Sequence, residues 1–177
     1  MFRNLNNIPK DPLEGISIIE FGKQYRNGTI TSKKITESYL ERINAINKQL
    51  NAFIFLNSKV AIEQANAIDN LLASGIDLGP LMGVPVGVKD ICAVDGMPTS
   101  NGSNIKTEDI TGPEGTLIKT LKSLGCIILG KTHTVEFALG ATGINKNKGT
   151  PKNPYDSEEH RIPGGSSSGS AVAVAAG

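Results

Sequence analysis

The chain has 177 residues with 18 Lys and Arg against 17 Asp and Glu, and a net charge of +1 leaves no basic excess of the kind a nucleic-acid surface needs. With 38% hydrophobic and 20% charged residues, the composition is that of a soluble globular protein, long enough for one domain or for part of a larger one. The apolar runs are too short to span a membrane, residues 1–15 contain Arg3 and Lys10 without the apolar core of a secretory signal, and Cys92 and Cys126 lack zinc or redox spacing. A cytoplasmic chain in a reducing compartment is therefore expected, its two cysteines acting as small buried hydrophobes.

Residues 1–15, with Pro9 and Pro12, read as an irregular arm. Residues 16–26 follow as a short amphipathic helix, with Ile16, Ile19, Phe21 and Tyr25 inward and Asn27-Gly28 as its stop. Thr31 or Ser32 caps a longer helix to about Asn47, burying Ile35, Tyr39, Ile43 and Ile46 and turning Glu37 and Glu41 outward. Residues 51–56 form the first strand, and Ser58 caps a third helix ending near Gly75. In residues 84–91 the alternation of Val84, Val86 and Val88 reads as a strand despite Pro85 and Gly87, with Lys89 on the opposite face. Residues 95–102 are loop, and residues 115–125 are a helix with Leu117, Ile118, Leu121 and Leu124 inward. Residues 126–129 are a wholly apolar, buried strand. A short helix is expected from Thr132 to about Leu139, then a long functional loop over residues 140–161. Alternating helices and strands imply an α/β class, with helices packed around a mixed sheet.

Gly125-Cys-Ile-Ile-Leu-Gly130-Lys131-Thr132 matches the formula of a phosphate-binding loop, whose mechanism needs a strand before the first glycine and a solvated loop between the two. Here a helix precedes and four apolar strand formers intervene, so the match is read as chance. His133 and His160 have no further ligand at metal spacing, and a Ser-His-Asp triad would lack its G-x-S-x-G elbow. Cys92 paired with His133 is a weak nucleophile and base, because aliphatic surroundings raise a thiol's pKa. A surface or loop role is expected for each histidine.

Two features carry chemistry. Pro163-Gly164-Gly165-Ser166-Ser167-Ser168-Gly169-Ser170 clusters hydroxyls on permissive backbone and runs into the apolar stretch 171–176. Such composition also suits a flexible linker. Lys89, at a strand end among apolar neighbours, is either a snorkelling lysine or a base, since burial favours the neutral amine. Taken together, an amine and constrained hydroxyls can activate a serine without histidine.

Gly83-Val-Pro-Val-Gly-Val-Lys89-Asp90, Gly130-Lys-Thr-His-Thr-Val-Glu-Phe-Ala138, Asn153-Pro154 and residues 163–177 resemble, in order and spacing, the amidase signature family. The likeness covers about residues 16–177, read as the N-terminal portion of an amidase domain. It implies an amide hydrolase acting through an acyl-enzyme by a Ser–cis-Ser–Lys triad, with Lys89 matching the catalytic lysine and Ser166 the bridging serine after a cis peptide. The family's nucleophile lies in a later segment of the form Gly-x-Asp-x-x-Gly-Ser, with the oxyanion hole, past Gly177; Ser167, Ser168 and Ser170 stand at the wrong positions. The chain is accordingly expected to be inactive alone. Ile91 and His133 stand where Asn is common, and Ser168 stands where the glutamine-hydrolysing component of the tRNA-dependent amidotransferase has Gly, which favours a free-standing amidase. A non-catalytic interaction module and that amidotransferase component remain the alternatives. The resemblance implies no cofactor or metal, a small-molecule amide as substrate, no nucleic acid or membrane, and either a homodimer or amidotransferase subunits as protein partners.

Overall fold

The computed structural model describes residues 8–156 and 158–177. Residues 8–15 of the expected arm are coil and turn, and residues 1–7 lie outside the described residues. Helix α1 (Ile18–Arg26) begins after Ser17, whose hydroxyl accepts from the Glu20 backbone N–H at 3.2 Å. It buries Phe21, Gly22 and Tyr25, whereas Ile19, expected inward, is exposed. Thr31 caps α2 (Ser32–Leu50) through the Lys34 N–H, and Asn51 closes it in the left-handed conformation. The helix therefore runs one turn past the expected Asn47.

Strand β1 (Phe53–Leu56) leads to α3 (Ser58–Ala73), where Ser58 is the first helical residue and Asn57 holds the cap position. β2 (Pro85–Lys89) is followed by the short helix α4 (Glu108–Thr111), which sequence pattern did not suggest, and α5 (Thr116–Ser123). On α5, Ile118 is buried as expected, whereas Leu117, also expected inward, faces out. β3 (Ile127–Thr132) is buried at every residue, and α6 (Ser168–Ala175) closes the described elements.

The sheet has the order β1-β3-β2, with β1 antiparallel and β2 parallel to β3, so it is mixed as expected. On one face Ile127 and Leu129 pack with Leu40, Ile43, Ile46, Ala61, Ala65 and Val172 of α2, α3 and α6. On the other, Ile128 packs with Val88, Val94 and Ile118. Burial on both faces is why this strand reads as an unbroken apolar run instead of an alternating one. No described helix is long and apolar enough to cross a membrane.

One irregularity sets up everything that follows. Val86 pairs with Ile128 but Gly87 with Gly130, so Leu129 is an extra residue in β3. A bulge of this kind reverses the facing of the residues after it. Beyond it Lys131 joins Val88 on the α5 side, while Thr132 joins Lys89 on the α6 side.

Candidate active site

Lys89 is the last residue of β2, half-buried, on the face that α6 covers. Its Nζ donates to Ser166 Oγ at 2.6 Å. Ser166 lies in the loop before α6, and the peptide joining it to Gly165 is cis. The Ser166 carbonyl accepts from the Val135 N–H at 3.0 Å. A Cβ on Gly165 would come within 2.7 Å of Gly140 O and Gly143 N. Only glycine permits that approach of two backbones, and the loop over residues 140–143 thereby braces the serine loop from outside.

The start of α6 is seated just as closely. A Cβ on Gly169 would lie 2.2 Å from Ala52 O and His133 N, and the Gly169 N–H donates to His133 O at 3.0 Å. Ser170, in the same turn, shares a 2.7 Å hydrogen bond with Thr132 Oγ1. At the far end Arg42 of α2 donates to the carbonyls of Ala176, Gly177 and Pro9. The first two carbonyls are among the groups a helix C-terminus leaves without partners.

Beneath Lys89 is an ion pair that sequence reasoning missed. Lys131 and Asp90 are buried, with Nζ 2.9 Å from Asp90 Oδ1. Lys131 also donates to Thr99 Oγ1 at 2.7 Å and Pro98 O at 3.1 Å, while Asp90 Oδ2 accepts from Ser100 N–H and O–H. Because both charges find further polar partners, the cost of removing them from water is offset. The Asp90 carbonyl accepts from Asn101 N–H, so the loop over residues 98–101 hangs on this pair. Residues 125–132, the phosphate-loop match, are the buried strand and the turn before it, and the lysine is committed to Asp90.

The expected helix over 132–139 does not form. Thr132 ends β3, and only Glu136–Ala138 makes a 3-10 turn. The donors that a helix would have used go elsewhere, Val135 N–H to Ser166 and Phe137 N–H to Asn101. Phe137 and Ala138 both take positive φ, 47° and 58°. His133 is the second correction: it is buried, and the start of α6 packs onto its backbone. Burial pushes its pKa down to about 4, against a smaller opposing pull from Asp90, and Nδ1 has no partner among the described residues. His160 is exposed. Cys126 is buried, which raises its thiol pKa, while Cys92 is only half-buried.

The geometry is thus an amine on a strand end against a serine hydroxyl, held between two braced loops. Comparison with known proteins shows what the chain is similar to. The Amidase family profile matches residues 34–177. The chain is 39% identical over 162 residues to the 2-amino-5-chloromuconic acid deaminase of Comamonas testosteroni, covering 92% of this chain and 35% of that one. It is 42% identical over 147 residues to the first, or A-type, component of the glutamyl-tRNA(Gln) amidotransferase of Acidothermus cellulolyticus, covering 83% and 29% respectively. The native peptide amidase of Stenotrophomonas maltophilia superposes with a TM-score of 0.83 at 32% identity, over 93% of this chain and 35% of that structure. The chain spans about a third of the length of the curated relatives it matches.

Proposed function

The chain belongs to the amidase family, and from that premise we propose that it carries the base and proton relay of an enzyme that hydrolyses carboxamide C–N bonds. The observation that carries the reading is the 2.6 Å contact between Lys89 Nζ and Ser166 Oγ. Lys89 in its unprotonated form is the base. It takes the Ser166 hydroxyl proton as Ser166 takes that of a nucleophilic serine, whose oxygen attacks the amide carbon. Collapse of the tetrahedral intermediate breaks the C–N bond, and the same two groups return the proton to the leaving nitrogen. Water then attacks the acyl carbon, passing its proton through Ser166 to Lys89, and the proton returns to the nucleophilic serine oxygen as the acyl C–O bond breaks.

Residues 16–177 are, in this proposal, the N-terminal portion of a longer amidase domain, in line with covering about a third of the relatives. The nucleophile and the oxyanion donors belong to the remaining portion. The substrate is a small carboxamide. A free-standing hydrolase is favoured, and the likeness to an amidotransferase component keeps glutamine as one candidate amide.

A fluorophosphonate probe tests the assignment of roles. Residues 1–177 alone are expected to stay unlabelled, whereas a chimera with the remaining segment of the peptide amidase is expected to label on a serine of that segment. Changing Lys89 to Ala in the chimera should cut labelling by at least about a hundredfold, the contribution typical of a positioned base. Labelling at Ser166, Ser167, Ser168 or Ser170 would show that the roles are misassigned.

A further inference from the structure

We propose that Thr132 and Ser170 are positioning residues whose paired hydroxyls set where Ser166 stands relative to Lys89. The inference rests on the reading of Lys89 and Ser166 given above. Lys89 and Thr132 are register partners in the parallel pair β2–β3, so their side chains leave the sheet on the same face. Thr132 is buried, and its methyl is directed at Gly87, where an added Cβ would approach to 2.9 Å. With the methyl so placed, Oγ1 is turned to α6 and meets Ser170 Oγ at 2.7 Å. Ser170 stands one helical turn beyond Ser166 in sequence. A closed circuit results: Lys89 to Thr132 through the sheet, Thr132 to Ser170 through hydroxyls, Ser170 to Ser166 through the backbone, and Ser166 back to Lys89.

The circuit has a mechanical meaning. Backbone hydrogen bonds hold the Ser166 carbonyl to Val135 N–H and Gly169 N–H to His133 O, and Arg42 holds the far end of α6, but none of them grips a side chain of the first helical turn. The Thr132–Ser170 bond does. Among the described residues it is the one side-chain hydrogen bond between α6 and the sheet. A side-chain point added to the backbone ones stops the first turn of α6 from rolling on the sheet, and with it the freedom of the Ser166 hydroxyl to drift from the amine. Drift of that kind matters, because displacements near 1 Å can cost about a hundredfold in rate.

The test reads the Lys89 13Cε resonance in lysine-labelled chain, assigned by its loss in Lys89→Arg. Ser166→Ala supplies the displacement that marks a broken contact. Thr132→Val, nearly isosteric, and Ser170→Ala are each expected to move the resonance most of the way to the Ser166→Ala position. The double variant should move it no further than either single one, as residues of one coupled pair do. Thr132→Ser, which keeps the hydroxyl, is expected to leave it at the wild-type position. Should Thr132→Val fail to fold, Ser170→Ala decides alone. A Lys89 resonance unmoved in Ser170→Ala but moved in Ser166→Ala would overturn the proposal. A resonance unmoved even by Ser166→Ala would instead overturn the Lys89–Ser166 reading beneath it.

Discussion

An imidazole buried beside the serine loop makes stability depend on pH, and at His133 the sign can be worked out. Its pKa is held at about 4 in the folded chain against an ordinary 6.5. Between those values the unfolded chain binds the extra proton, so stability falls as pH drops through that window. The shift corresponds to about 3 kcal/mol at most. Asp77 and Asp156, whose pKa values are lowered to about 2, lose their contributions only below the ordinary carboxylate value of 3.8. Glu114, against the opposing effect of burial, is held below the ordinary 4.5 by Lys122 and loses its contribution only below that value. The window from pH 6.5 to 4.5 therefore belongs to the histidine. Urea midpoints at pH 7 and pH 4.5 should fall clearly in the wild type and stay nearly level in His133→Asn; equal falls in both would assign the effect elsewhere. At this scale legibility was uneven. Lys89 and Ser166 stood out because a lysine in a valine-rich strand end and a Gly-Ser cluster are each unusual. The burial of His133 was not legible, since Thr-His-Thr reads as polar surface and the helix that packs on its backbone does so 36 positions downstream, at Gly169.

Among the elements, α6 holds the candidate site together, and its attachment is unforgiving. Gly169→Ala would drive a methyl into two backbone atoms that cannot move without disturbing β1 and β3. A loss of more than about 3 kcal/mol is expected, in the range of severe core defects, and equilibrium urea unfolding would measure it. A cost under about 1 kcal/mol, as on open surface, would mean that α6 is more loosely seated than described. Elements with a regular period were legible: the 3.6-residue spacing of Ile35, Tyr39, Ile43 and Ile46 located α2, and the valines of β2 located Lys89 on its correct face. The bulge at Leu129 was not, because an apolar run has no alternation from which a change of face could be read. The Asp90–Lys131 pair stayed hidden for the same reason, its lysine turned by that bulge onto the side of the loop it binds. The short helix expected at 132–139 failed because loops distant in sequence compete for its backbone donors.

For the whole molecule, the α/β class followed from alternating segments, while the strand order β1-β3-β2 had no local signature at all. That order has a consequence in time. The central strand is the last of the three in the chain, so β1 and β2 have no partner in this sheet until residue 132 has been made. The α2–α3 hairpin, whose contacts are nearer in sequence, has no such wait, and local contacts form fastest. A chain ending at residue 126 is expected to keep helical circular dichroism yet leave the amides of Phe53–Leu56 unprotected against hydrogen exchange; protection there would reveal a different pairing. During synthesis β2 must wait the longest for its serine partner, since Ser166 emerges 77 residues after Lys89. The amine is thus among the early parts of the site to be made, and the contact proposed to give it a catalytic role is among the last that assembly can complete.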